Sequence, residues 1–61
     1  RLSAEDNERF IRQYLDDARF SYDLDSVRKY AAENHSQAEI MTHVTRSIAS
    51  TLINKGELVM L

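Results

Sequence analysis

Apolar residues recur at helical spacing along the first third of the chain. They are Phe10, Ile11, Tyr14, Leu15 and Ala18. This spacing places them on one face of an α-helix. Ser3 is a favourable N-cap residue, and Glu5 and Glu8 follow in the first turn, where the helix dipole favours negative charge. The pattern therefore predicts a helix over residues 4–18, with its aromatic side chains in the core.

The period of the apolar residues changes in the next segment. Apolar side chains alternate with polar ones at Phe20, Tyr22 and Leu24. Alternation of this kind indicates a short strand or an extended connector. Asp23 or Asp25 can then cap a second helix over residues 25–34, which we expect to end near Asn34 because asparagine tolerates the left-handed conformation.

A capping box opens the third predicted helix. Ser36 is followed three residues later by Glu39, the pair that satisfies two backbone N–H groups reciprocally. The apolar positions that follow are Ile40, Met41, Val44, Ile48, Leu52 and Ile53. We expect the last two to form the final turn of the core. Gly56, the only glycine, is the expected left-handed stop, and the helix is predicted over residues 37–55.

The third helix is rich in hydroxyl side chains, which lower helix propensity because they compete for backbone hydrogen bonds. These residues are Thr42, Thr45, Ser47, Ser50 and Thr51. A break near Thr45, giving two shorter helices, is therefore an alternative to one long helix. In either case the pattern predicts an all-α fold, a single small three-helix domain spanning residues 1–61.

The chain closes with an apolar C-terminal tail, residues 58–61, of sequence Leu-Val-Met-Leu. A small protein rarely exposes so many apolar side chains together, so the tail is expected to contact a surface. Three surfaces are possible: the segment 20–24, in a minimal β pairing with residues 57–61, a second copy of the chain, or a different protein. The expectation here is a second copy or a different protein, with intrachain pairing as the rival.

Length and composition narrow the class of protein. A 61-residue chain buries only about 60% of its unfolded surface, so its stability is marginal without a staple or a partner. It has no cysteine, which excludes disulfides and thiolate zinc sites. The net charge of −2 argues against a dedicated binder of nucleic acid or membranes. No stretch resembles a signal peptide or a transmembrane span, and a cytoplasmic location without a membrane partner is expected.

Candidate chemistry is sparse. His35, Glu39 and His43 are four residues apart, but residues eight positions apart on a helix are about 12 Å apart along its axis, so a polar, solvated face is expected rather than a metal site. Acidic residues cluster at Asp16, Asp17, Asp23 and Asp25. They lack the spacing and glycine of a calcium loop, and helix termination and capping explain them. With one glycine, no phosphate-binding loop can form. We expect no enzymatic activity, cofactor, metal or small-molecule substrate.

The order of the predicted elements resembles that of a winged-helix domain. A helix, a short alternating segment and two further helices lead into LINKGEL, which is similar to the passage from a recognition helix into the first wing strand. The resemblance implies a DNA-binding transcriptional regulator of winged-helix-like or helix-turn-helix type. Its nucleic-acid-binding residues would be Arg28, Lys29, His43, Arg46, Ser47, Ser50 and Lys55, with Asn54 beside them.

The surplus of apolar positions favours a different function. Three amphipathic helices already need mutual burial, and the tail and Tyr22 remain in excess. We therefore expect a small regulatory or adaptor protein that acts through protein–protein association, most simply as a homodimer. The expected partner-binding residues are Tyr22, Ile48, Leu52, Leu58, Val59, Met60 and Leu61. Either the third helices of two copies pack antiparallel, or the tails pair or swap. A third possibility is a subunit of a larger assembly that covers the tail.

Overall fold

A computed structural model of the chain describes residues 3–33 and 35–61. Over these residues the chain forms three α-helices: α1, Ala4–Asp17, α2, Leu24–Ala32, and α3, Gln37–Ile53. The prediction of an all-α three-helix domain is confirmed, and the predicted ends differ by one or two residues. The expected left-handed end of α2 at Asn34 lies outside the described residues. The described chain contains no β-sheet.

Each helix begins at a side-chain N-cap. Ser3, Asp23 and Ser36 each accept a hydrogen bond from the backbone N–H three residues later. At Ser36 the capping box is complete, because the Glu39 carboxylate also accepts from the Ser36 backbone N–H at 2.8 Å. These caps satisfy N–H groups that have no partner inside the helix, so they set where each helix starts.

The C-terminal ends of α1 and α3 use non-glycine residues in the left-handed conformation. Arg19 has φ 61° and Lys55 has φ 54°, whereas Gly56 does not have a positive φ. The Gly56 N–H donates to the Thr51 carbonyl at 2.9 Å and the Lys55 N–H to the Leu52 carbonyl at 3.2 Å, the pattern of a Schellman motif. The prediction that Gly56 supplies the left-handed stop is therefore wrong. Gly56 occupies the position after it.

All three helices and the tail contribute to one core. Its buried side chains are those of Ile11, Leu15, Val27, Tyr30, Ala31, Ile40, Val44 and Val59. Phe10 and Tyr14 pack against this cluster while partly exposed. Leu52 and Ile53 do not form the expected last core turn: they are 61% and 79% exposed. The last buried residue of α3 is Val44, so the C-terminal half of α3 extends beyond the core.

Helix α3 is continuous through Thr45 for 17 residues, so the alternative of two shorter helices is wrong. Its hydroxyl side chains do not break it because several of them bond within the helix. Thr42, Ser47 and Thr51 each donate a side-chain hydroxyl to the carbonyl oxygen four residues earlier, at 2.8–3.0 Å. This back-bonding satisfies hydroxyl and carbonyl groups without opening the backbone ladder.

The tail lies on its own chain. Val59 forms a parallel β-bridge with Tyr22. Its N–H donates to the Ser21 carbonyl at 2.9 Å, and its carbonyl accepts from the Asp23 N–H at 3.1 Å. The Val59 side chain is fully buried. The expectation that the tail rests on a second copy or a different protein is thus wrong for Val59, and the rival pairing of residues 20–24 with 57–61 is observed as a single bridge.

Candidate association surface and adjoining groove

The outward side of α3 carries a row of uncharged residues at alternating intervals of four and three. The row, called here the α3 seam, consists of Ala38, Thr42, Thr45, Ala49 and Leu52. All five are exposed. This spacing is that of the a and d positions of a coiled coil, which face a partner helix. Small alanine and threonine side chains at such positions permit a close approach between helix axes.

The seam differs from the exposed surfaces of the other two helices. The exposed residues of α1 after Ala4 are Glu5, Asp6, Arg9, Arg12, Gln13, Asp16 and Asp17. In α2 they are Asp25, Arg28, Lys29 and Ala32. Charged residues of both signs are what a water-facing helix normally presents. Helix α3 also exposes Glu39 and Arg46, but the five residues of its seam are uncharged.

Large apolar side chains extend the seam towards the end of α3. Ile48 packs partly against the core, and Leu52, one turn later, is 61% exposed. Ile53 is 79% exposed. A helix of 17 residues is about 25 Å long, and the molecule measures 34 × 19 × 17 Å. The second half of α3 therefore presents apolar surface that the chain itself does not cover.

The tail alternates between the core and the surface, as an extended segment must. Val59 points inward, whereas Leu58 and Met60 on either side are 47% and 58% exposed. A groove of about 560 Å³ separates the tail from α3. This α3–tail groove is lined by His43, Arg46, Ser47, Ser50, Thr51, Asn54, Gly56, Leu58, Met60 and Leu61.

Hydrogen bonds hold the end of the tail beside α2 and α3. The Leu61 N–H donates to the Ser26 hydroxyl oxygen at 3.1 Å. The Leu61 main-chain oxygen lies 3.1 Å from Nε2 of His43, a contact that requires the proton on this nitrogen. Because the two contacts lie on different helices, they fix the position of the tail relative to the bundle.

His43 also belongs to an aromatic stack at the junction of α2 and α3. The Tyr30 ring lies between the imidazoles of His35 and His43, with centroid distances of 4.3 and 4.2 Å and interplanar angles of 14° and 10°. The Tyr30 hydroxyl donates to the Glu39 carbonyl at 3.4 Å, and His35 Nε2 lies 2.8 Å from a Glu33 carboxylate oxygen. The expectation of a solvated face for the two histidines is therefore wrong, since both are partly buried.

The electrostatics of this junction follow from burial and from the capping box. Burial raises the pKa of the Tyr30 hydroxyl, and the nearby carboxylates of Glu39 and Glu33 raise it further. Hydrogen bonds from the Ser36 backbone and side chain lower the pKa of Glu39. Both shifts favour the protonation states found at neutral pH. The stacked rings and the bond from Tyr30 to the Glu39 carbonyl join α2 to α3 at this junction.

A second cavity, of about 790 Å³, lies beside the stack. Its charged lining residues are Lys29, Glu33, Glu39 and Arg46. Their charges are mixed, so the lining selects no single sign of ligand. In the part of the chain that the structure describes, no three histidine, aspartate or glutamate side chains come together as a metal site.

The structure separates the predicted partner-binding residues into three places. Leu58, Met60 and Leu61 meet in the α3–tail groove. Leu52 lies on another side of α3, about 200° around the helix from Ser50, and Ile48 packs partly against the core.

The remaining two predicted partner-binding residues take part in contacts within the chain. Tyr22 is partly buried, and its hydroxyl oxygen accepts a hydrogen bond from Arg12 Nε at 3.2 Å. Val59 is fully buried in the core of its own chain, so its side chain is not accessible to a partner.

The residues of the nucleic-acid alternative are also dispersed. His43, Arg46, Ser47 and Ser50 line the α3–tail groove, with Asn54. The other three cations of the set lie in different places: Arg28 lies 3.4 Å from a Glu8 carboxylate oxygen, Lys29 lines the cavity beside the aromatic stack, and Lys55 holds the left-handed end of α3. Of the predicted phosphate contacts, Lys29 shares the cavity beside the aromatic stack with His43 and Arg46, whereas Arg28 is paired with Glu8.

The α3 seam was missed by the sequence reasoning although its signal is in the sequence. The threonines of α3 indicate a weak helix by propensity, whereas the spacing of the five seam residues at four and three indicates one helix face. No comparable signal marks the aromatic stack, because it depends on where the loop before α3 carries His35.

Comparisons with family models, with characterised proteins and with solved structures give no match for this chain. Within the described residues, none of the helices combines the length and the apolar character that crossing a membrane requires. The arguments about function therefore rest on the surfaces described above.

Proposed function

We propose that the protein is a small regulatory or adaptor module that acts by self-association, forming a homodimer through the α3 seams of two copies. The observation that carries this proposal is the exposure of two large side chains at the end of the seam. Leu52, the last seam residue, is 61% exposed, and Ile53 beside it is 79% exposed. Large aliphatic side chains at seam spacing, on a helix with no acidic residue between Glu39 and its C-terminal end, favour a helix as partner.

An antiparallel arrangement suits the distribution of side-chain size along the seam. The seam begins with Ala38 and Thr42 and ends with Leu52. When two copies run in opposite directions, the large residues of one copy lie opposite the small residues of the other. A twofold axis near Thr45 and Ala49 produces this match on both sides at once, because the interface of such a dimer is self-complementary.

The expected affinity is modest. A stable interface of standard size buries about 800 Å² on each partner, which is more than one helix face of this length supplies. A dissociation constant in the micromolar range is therefore expected, which corresponds to a binding free energy of about −8 kcal/mol. Weak association of this strength suits a module whose state depends on its concentration.

Analytical ultracentrifugation tests the proposal with two variants, each of which replaces an exposed alanine with lysine. Ala49→Lys places a charge in the middle of the seam, and Ala32→Lys places one on the exposed end of α2. The wild type and Ala32→Lys should dimerise with equal affinity, and Ala49→Lys should remain monomeric at concentrations about tenfold above the wild-type dissociation constant. A monomeric wild type at about 100 µM, or equal dimerisation of both variants, would contradict the proposal.

Two further variants, Arg46→Ala and Arg28→Ala, address the DNA-binding alternative. A salt-dependent affinity for duplex DNA that is lost in Arg46→Ala and Arg28→Ala would favour that alternative over self-association. We expect no measurable affinity at low salt, because Arg28 is already paired with Glu8 and the net charge is −2.

A further inference from the structure

The tail presents one unpaired edge of main-chain groups. Val59 directs both its N–H and its carbonyl towards Ser21 and Asp23. Successive residues of an extended segment point their main-chain groups to opposite edges, so those of Met60 point away from this pairing, and the chain bends at Leu58 just before it. Among residues 3–33 and 35–61, neither Leu58 nor Met60 forms a main-chain hydrogen bond. This edge can therefore accept a further strand.

The α3–tail groove lies beside the tail and is electrostatically one-sided. Arg46 lines it, and none of the lining side chains is acidic, although the chain as a whole has a net charge of −2. The other lining residues of α3 are hydroxyl and amide side chains, and those of the tail are apolar. Glu57 precedes the tail but does not line the groove. The groove therefore complements a ligand with both carboxylates and apolar side chains.

We propose that the α3–tail groove binds an extended acidic peptide segment of a partner protein, which adds as a strand to the free edge at Leu58 and Met60. In this position the peptide main chain would lie about 4.8 Å from the tail, on the side opposite Ser21. Its hydrogen bonds to Leu58 and Met60 would supply affinity, and its alternate side chains would supply specificity. A carboxylate of the segment would pair with the Arg46 guanidinium.

The edge itself favours a peptide over nucleic acid as the ligand. Leu58 and Met60 each offer an N–H donor and a carbonyl acceptor, and a peptide main chain supplies the complementary acceptor and donor. A phosphodiester backbone has acceptors only, so it would leave both carbonyls without partners. A second tail is a poorer match than an acidic peptide, since residues 58–61 carry no acidic side chain.

The groove and the α3 seam lie on different sides of α3 for most of their length and adjoin at Arg46, which is one helical turn from Thr42 and from Ala49. Ser50 lines the groove, and Leu52 of the seam lies about 200° away around α3. Ala49→Lys adds a positive charge one turn from Arg46, so it should bind the acidic peptide at least as tightly as the wild type while it fails to dimerise. The failure of this proposal can therefore be distinguished from the failure of the proposed dimer.

Fluorescence anisotropy of a labelled probe peptide tests the proposal. The probe is the blocked hexapeptide Glu-Val-Glu-Val-Glu-Val, and the control is the same peptide with lysine in place of glutamate. The acidic probe should bind, and Arg46→Glu should weaken binding by at least about tenfold. Arg9→Glu, the same charge reversal on the exposed face of α1, should leave the affinity within about twofold. Equal binding of the acidic and basic peptides would overturn the proposal.

Backbone methylation of the probe separates strand addition from charge attraction alone. Methylation of alternate amides blocks only one edge of the peptide, so one of the two methylated registers should lose binding and the other should keep it. Hydrogen exchange of the Leu58 and Met60 amides should slow when the unmethylated probe is added. Equal affinity of both registers, unchanged exchange at these amides, or tighter binding of single-stranded DNA than of the acidic probe would contradict the proposal.

Discussion

Asn7 is a buried polar residue whose hydrogen bonding is incomplete. Its side chain is 3% exposed, and its Nδ2 donates to the Ala31 carbonyl at a long 3.4 Å. Its Oδ1 has no partner among the described residues. An unsatisfied buried acceptor costs about 1–3 kcal/mol, which the weak Nδ2 bond offsets only in part.

Replacing Asn7 with leucine should therefore stabilise the fold. Asn7→Leu keeps a similar side-chain shape, removes the unsatisfied oxygen and adds apolar contact between α1 and α2. The expected gain is about 1 kcal/mol in the free energy of unfolding, measured by urea denaturation with an unchanged m-value. Asn7→Asp, which places a carboxylate facing the Ala31 carbonyl, should destabilise the fold. A loss of stability in Asn7→Leu would show that the Ala31 bond outweighs the cost of the unpaired oxygen.

Lys55 is a second residue that lowers the stability of the fold, in this case through its backbone conformation. With φ 54° it adopts a conformation that glycine adopts without steric penalty, while the neighbouring Gly56 does not need this freedom. Lys55→Gly should raise stability by about 0.5–1 kcal/mol, and Lys55→Val should lower it, because a β-branched side chain is strained there. Thermal melts should resolve this, since about 1 kcal/mol shifts the Tm of a domain of this size by about 4–8 °C. Equal Tm values for both variants would contradict the assignment of strain to Lys55.

At the scale of the element, the capping box of α3 makes stability depend on pH in a defined direction. Hydrogen bonds from Ser36 lower the folded-state pKa of Glu39. A group with a lowered folded pKa contributes stability that is present above its unfolded pKa, and this stability is lost as the pH falls through the folded pKa. The free energy of unfolding of the wild type should therefore fall as the pH drops below the ordinary pKa range of carboxylates. Glu39→Gln should remove part of this loss.

Unfolding measured from pH 7 down to about pH 3 checks this prediction, because the range spans the ordinary glutamate pKa. The difference in stability between the wild type and Glu39→Gln should shrink as the pH falls. Glu5→Gln, on the exposed first turn of α1, is the matched control. Parallel pH profiles for the wild type and Glu39→Gln would mean that the capping bond does not distinguish the charged form.

The elements differ in how far the sequence determines them. Ser36 and Glu39 marked the start of α3 correctly, because a capping box is a local signal that needs no tertiary contact. The end of the core, in contrast, is set by tertiary contacts and not by a local signal. Leu52 and Ile53 match the apolar period, but their burial depends on how far α1 and α2 extend beside α3. The position of Val59 likewise depends on a pairing with Tyr22 across the chain, which residue spacing permits but does not require.

The two candidate surfaces also differ in how far the sequence determines them. The α3 seam is readable from spacing alone, whereas the α3–tail groove exists only because the tail folds back beside α3. Arg46 and Met60 are far apart in the sequence and line the same groove. Composition could indicate that the tail needs a surface, but the choice between surfaces required the bridge at Val59.

At the scale of the whole molecule, the tail combines two roles that substitutions can separate. Val59 is fully buried among residues of the three helices, so Val59→Ala should destabilise the monomer by about 2 kcal/mol through lost transfer energy and the cavity left behind. Leu58 and Met60, its neighbours, point outward, and Met60→Ser should change the free energy of unfolding by no more than about 0.5 kcal/mol.

The same pair of variants should behave in the opposite way in the binding assay, because Met60 lines the α3–tail groove and Val59 does not. Met60→Ser should lower the affinity for the acidic probe, whereas Val59→Ala should bind it normally at temperatures where the variant is folded. Urea denaturation and anisotropy on the same samples measure both quantities. If Met60→Ser unfolds as readily as Val59→Ala, the outward side chains of the tail are part of the fold. The tail would then be a structural strand without a separate surface for partners.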